Sequence, residues 1–205
     1  MKELNIQGNP GQNNTFTEAH VEGGSYNPAA REVRHYHIMG SGNTRMDAYF
    51  QNLLNEIDKG IKAEVFDDLE YYRTKLDGKK DVEEKLTDGG FKPACIKEAQ
   101  QLKEMYAKKA TKYECYPSAQ KIILSLFARI KHEFETSIFP LIEQQQPLTI
   151  VMEQVRCKIV SPIMEMLETN GAHDHYLNFT EDHIYGMIYY LTGMCHLNWK
   201  DYDNI

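Results

Sequence analysis

From Thr44 onward the apolar positions fall three and four residues apart, at Tyr49/Phe50, Leu53/Leu54, Ile57, Ile61, Val65/Phe66, Leu69, Tyr72 and Leu76. That spacing keeps one side of an α-helix continuously apolar. It predicts a long first helix, opened by Asn43 or Thr44 with Asp47 in the first turn and closed by Asp77-Gly78. A short amphipathic piece, DVEEKL, then runs into TDGGFKP, whose glycine pair and proline mark a loop. A second long helix follows Pro93 on Ile96, Ala99, Leu102, Met105, Tyr106 and Ala110, and a third runs from Pro117-Ser118 through Ile122, Leu126, Ile130 and Phe134 to Ile138. Pro140 is expected to end or kink it, because proline lacks the donor and crowds the preceding turn. A fourth helix spans Pro147 to Leu167, bent at Pro162 and closed by Asn170-Gly171. The last starts at Thr180, an N-cap followed by Glu181 and Asp182 in the positive first turn. The expectation is a mainly α protein, a bundle of about five main helices over residues 44–205.

Residues 1–43 differ in kind. Gly, Asn and Pro punctuate two short alternating runs, TFTEAHV and VRHYHI, each too poor in large apolar residues to form a core. A lone hairpin is marginal in water. This arm is therefore expected either to stay a flexible tail or to be ordered by adding strands to another copy or another protein. On the second reading Phe16, Val21, Tyr26, Asn27, Pro28, Val33, Tyr36 and Ile38 supply the contacts, and the product is a homo-oligomer.

A formal net charge of −7 over 205 residues gives no basic field, so direct nucleic-acid binding is not expected. The start MKELNIQGNP has no apolar signal region, and Ile184 to Leu197 is too short and too glycine-interrupted to span a bilayer, which points to a soluble cytoplasmic protein. Cys95, Cys115, Cys157 and Cys195 are widely spaced with no CxxC, a pattern of reduced thiols.

Eight histidines raise a metal reading. The best pair is His173 and His175 in GAHDHYLNF, with Asp174 between them, and a small metal-dependent hydrolase or nuclease on that loop is the alternative function. No recognised zinc spacing supports it, the one Glu-x-x-His match is Glu32 to His35 in the arm, and there is no GxSxG elbow or GxxxxGK[ST] loop. Neither catalysis nor a cofactor is expected.

The tail DHIYGMIYYLTGMCHLNW places Gly186 and Gly193 on one helical face, where a neighbouring backbone can approach closely. Tight packing of a last helix accounts for that pattern, and so does a partner-binding surface that includes His196 and Trp199. With its Tyr-rich last helix and LTGMCHLNW ending, after a Gly/Asn-rich GNPGQNNTF stretch, the chain resembles the C-terminal domains of ABC-three-component conflict systems. The resemblance implies a bacterial defence setting in which an ABC or SMC-like ATPase and a middle component are partners. Against the layout that the resemblance implies, no nuclease or peptidase region is expected before the helical part, which favours a recognition or assembly subunit. The expected function is a non-enzymatic interaction module, oligomerising through its arm and recruiting protein partners.

Overall fold

The computed structural model describes residues 44–76 and 80–202, and these form the expected helical bundle, with no strand among them. The expected contacts at Phe16, Val21, Tyr26, Asn27, Pro28, Val33, Tyr36 and Ile38 lie outside the described residues. The elements are α1 (Arg45–Lys59), α2 (Asp67–Arg73), α3 (Val82–Asp88), α4 (Pro93–Tyr113), α5 (Pro117–Glu133), α6 (Phe139–Glu143), α7 (Leu148–Val155), α8 (Ser161–Asn170) and α9 (Glu181–Gly193). Two π-helical turns, Phe134–Ile138 and Arg156–Val160, join α5 to α6 and α7 to α8.

The long first helix is not continuous. Gly60 adopts φ 64°, its N–H bonds the Ile57 carbonyl and the next N–H, of Ile61, bonds that of Glu56. This pair of bonds is a Schellman closure with glycine in the left-handed position, and it ends α1 at Lys59. Residues 61–66 then run without helix before the short α2. Buried Gln120 of α5 holds that connection: it accepts from the Phe66 N–H at 2.8 Å and donates to the carbonyls of Glu64 and Glu114. Glu56 in turn caps α5 from α1, accepting from the Ser118 N–H and hydroxyl at 2.9 and 2.6 Å. A carboxylate there meets the positive end of the helix.

Pro140 and Pro162 do not end their helices. An α-helical proline would press on the carbonyl four residues back and leave a bond unmade. Here the turn before each proline widens, so that Phe139 bonds the Phe134 carbonyl and Ser161 that of Arg156, and the helix continues.

Helix α9 is the centre of the bundle. Nine of its thirteen residues are buried, as expected of a helix that is apolar all round. It lies along α4, with α3, α5 and α8 also against it, while α1 covers α5.

Candidate interaction surface

The tail predicted to carry function is built from α9 outward. Gly186 faces α4: a Cβ placed there would collide with the Leu102 carbonyl oxygen and lie 2.8 Å from the Tyr106 Cβ. Gly193 makes no such demand, since the nearest atoms to its added Cβ, on Lys103 and Val82, are at 3.6 and 3.7 Å. The close approach foreseen for both glycines belongs to the first alone. After Met194 the chain turns through Cys195 at φ 65°, with the Cys195 N–H on the Thr192 carbonyl and the His196 N–H on that of Leu191. This repeats the closure at Gly60, with cysteine in the position glycine usually takes.

The turn sends His196 and Trp199 inward. Trp199 is 3 % exposed, donates its indole N–H to the Thr192 hydroxyl at 3.0 Å and stands edge-on to Phe91 and Phe134. Gly89 lies under it, with room for no Cβ, because one would sit 2.6 Å from the Trp199 Cβ. Between them Asn198 accepts from the buried Lys85 ammonium at 2.7 Å, which ties the tail to α3. His196 is 6 % exposed and lies against the rings of Tyr71 and Tyr72, at 5.0 and 5.3 Å between centroids. Neither of its ring nitrogens has a hydrogen-bond partner. Burial holds its pKa below the usual histidine value and Lys131 adds to the effect, while the backbone of Tyr71, Thr74 and Tyr72 works the other way without reaching bonding geometry. All four tail positions, Gly186, Gly193, His196 and Trp199, are thus interior. Packing is what these four residues visibly do, and of them Trp199 also borders open space.

That space is a cleft of about 580 Å³ between Trp199–Asp201, Asp88-Gly89 and the α6–α7 connection with Ile142, Leu148 and Val151. Gln145 on its rim holds φ 55°, closing α6 in the same left-handed manner. On the cleft's flank Lys80, Asp88 and Tyr202 form a small network.

The histidine loop is held together by Asp174. Both oxygens of Asp174 accept backbone N–H groups, from Tyr176 and Leu177 on one and Asn178 on the other. Burial nevertheless raises its pKa, against those three bonds and Lys109. Lys109 reaches across from α4 to the carbonyls of Leu177 and Asn178. His173 comes no nearer than 3.9 Å to Asp47, and no three His, Cys, Asp or Glu side chains among the described residues are placed to share a cation. His183 accepts the Thr180 N–H on Nδ1 at 3.2 Å, and burial, with Lys109, lowers its pKa. The sequence did not single out Lys85, Lys109 or Gln120. Their signal was a polar side chain recurring on an otherwise apolar face, which periodicity reads as surface.

Residues 81–199 match CTD9, C-terminal domain 9 of the ABC-three component (ABC-3C) systems, over more than half of the chain. The chain belongs to this family. No curated protein and no solved structure matches it. The CTD9 match opens at Asp81, whose carboxylate accepts from the Glu84 N–H at 2.9 Å in the capping box of α3, and closes at Trp199. It therefore takes in α3 to α9, the central helix and the LTGMCHLNW tail on which the resemblance rested, and leaves α1 and α2 outside. No helix among the described residues is long and apolar enough to cross a membrane.

Proposed function

We propose that this chain is a non-enzymatic interaction and assembly subunit of a bacterial ABC-three-component defence system. It oligomerises through residues 1–43 and recruits protein partners, among them an ABC or SMC-like ATPase and a middle component. The observation that carries the reading is the CTD9 match over residues 81–199, a domain of systems made of several components. The use of Asp174, His183 and Lys109 in holding loops and caps is in keeping with it, since each is engaged in bonds that position backbone.

Light scattering coupled to size exclusion, on the full chain and on a chain starting at Thr44, tests the assembly step. The expected result is an oligomer for the first and a helical monomer for the second. An unchanged oligomer after removal of residues 1–43 would remove the arm from the proposal.

A further inference from the structure

Helix α2 lies over a groove whose walls are Tyr106 from α4, Phe127 from α5, Tyr190 from α9 and His196 from the tail. Tyr72 packs on Phe127 and His196, and Arg73 pairs with Glu114 at 3.1 Å. The walls all fall within the CTD9 match and α2 falls outside it.

The fit of α2 to this groove is imperfect in two places. A void of about 50 Å³ remains between Leu69 and Arg73 on one side and Tyr106, Phe127 and Tyr190 on the other. Under the other edge of α2, His196 is buried with both ring nitrogens unpaired, and no other side chain among the described residues has a buried nitrogen or oxygen without a partner. A buried polar group without a partner calls for an explanation, whether strain, a water or an atom of another molecule. Both imperfections sit at the same contact.

The hold on α2 is also slight. At seven residues it is far too short to be stable as a helix by itself, and Leu69 is its one fully buried side chain. Tyr71 and Leu76 present 46 % and 52 % of their surface to solvent. Gln120 to Phe66 at one end and the Leu76 N–H to the Met194 carbonyl at the other tether the segment rather than bury it.

We infer that α2 is a displaceable occupant of a helix-docking groove, and that the groove's other occupant is an amphipathic helix of a partner protein. The chemistry of α2 defines that helix. It carries apolar residues at positions i and i+3, as Leu69 and Tyr72 do, a cation at i+4 to meet Glu114, and a hydroxyl or carboxylate placed to bond His196. Such a helix fills the void and satisfies the imidazole, so it binds the open groove better than α2 does. Because α2 competes from within the chain, the partner's apparent affinity is scaled by the fraction of molecules in which the groove is open.

The inference deepens the interaction-subunit reading and rests on it for its biological meaning, but its test is read inside one chain. Hydrogen exchange on the full-length protein is the first measurement. The expected result is that amides of residues 69–74 exchange at least about 100-fold faster than those of α4, α5 and α9, through an opening that leaves α9 protected. Equal protection would overturn the proposal. The second measurement uses a fluorescent peptide of residues 61–76 as probe, added to wild type and to the full-length variants Arg73→Ser and Leu69→Ala. Arg73→Ser removes the part-exposed ion pair with Glu114 and the Arg73 contact with the Tyr190 hydroxyl but no buried apolar side chain, so it reports even if Leu69→Ala fails to fold. The peptide is expected to bind Arg73→Ser about 10-fold more tightly than wild type and to protect α5 and α9 amides around Phe127 and Tyr190. Equal binding to both, or binding that leaves those amides unprotected, would overturn the groove. An oligomer unaffected by arm removal would sink the assembly reading and leave this result standing.

Discussion

Gly186 and Gly193 are the same residue, seven apart on one helix, and the structure gives them opposite values. At Gly186 the added methyl of Gly186→Ala meets the α4 backbone at Leu102, and backbone cannot swing aside as a side-chain tip can. Helix α9 must then move off α4, and overpacking of this kind costs about 1–3 kcal/mol, occasionally more. At Gly193 the methyl enters ordinary van der Waals space, and exchanging glycine for alanine restores helix preference worth at most roughly 0.5–1 kcal/mol, less at this last helical residue. Urea denaturation of the two single variants separates them. Gly186→Ala is expected to lose stability and Gly193→Ala to hold or gain it; equal losses would show that both glycines serve close packing. The sequence put the two glycines on one face correctly, but a face is shared by neighbours at different depths, and depth is not written in spacing.

At the scale of elements, the places where sequence reading went astray have a common cause. The apolar spacing Ile57, Ile61, Val65/Phe66, Leu69 runs unbroken through Gly60, so periodicity joined α1 to α2. The break depends on a single left-handed residue, and Val65 and Phe66 remain half-buried without belonging to a helix. Pro140, read as a stop or kink, and Pro162, read as a bend within a helix, are each preceded by a π-helical turn that absorbs what an α-helical turn cannot, and nothing in the local pattern marks that choice. The long runs α4, α5 and α9 were legible because each carries its buried face over several turns. What sets the α1–α2 connection is instead Gln120, a polar residue inside an apolar stripe. Gln120→Leu removes three hydrogen bonds and leaves the Phe66 N–H and the Glu64 and Glu114 carbonyls without that partner. The expected loss is about 2–4 kcal/mol, taking roughly 1 kcal/mol for each bond and more where a group stays dry. A loss under about 0.5 kcal/mol in chemical denaturation, the range of an ordinary surface substitution, would mean that the connection is held by Leu69 and the helix ends alone.

For the molecule as a whole, the buried titratable groups set a pH profile whose sign can be worked out group by group. His183 and His196 both have pKa values lowered by burial. As pH falls below the unfolded value of about 6.5, the unfolded chain takes up protons that the folded chain refuses, so stability falls. The slope is bounded by about 1.4 kcal/mol per pH unit for each histidine. Asp174 acts in the opposite sense: burial raises its pKa, so its contribution is complete below the unfolded value and is lost as pH rises through the folded one. Its window opens at the unfolded carboxylate value of about 3.9 and extends upward to the raised folded one. At the alkaline end Tyr106, Tyr189 and Tyr190 are raised by burial, so stability falls once unfolded tyrosines ionise above about pH 10. From these groups the expected profile has a descent below about pH 6.5 and another above about pH 10. His196→Leu distinguishes the two histidines. It removes the unpaired imidazole and the proton that the folded state excludes, while His183, accepting the Thr180 N–H at the start of α9, keeps its own share of the acid descent. Stability measured between pH 7.5 and 5 should then fall less steeply for the variant than for wild type, with the curves converging or crossing toward neutral pH. Parallel curves would show that His196 takes up its proton in the folded protein as readily as in the unfolded chain and that α2 already offers it a partner.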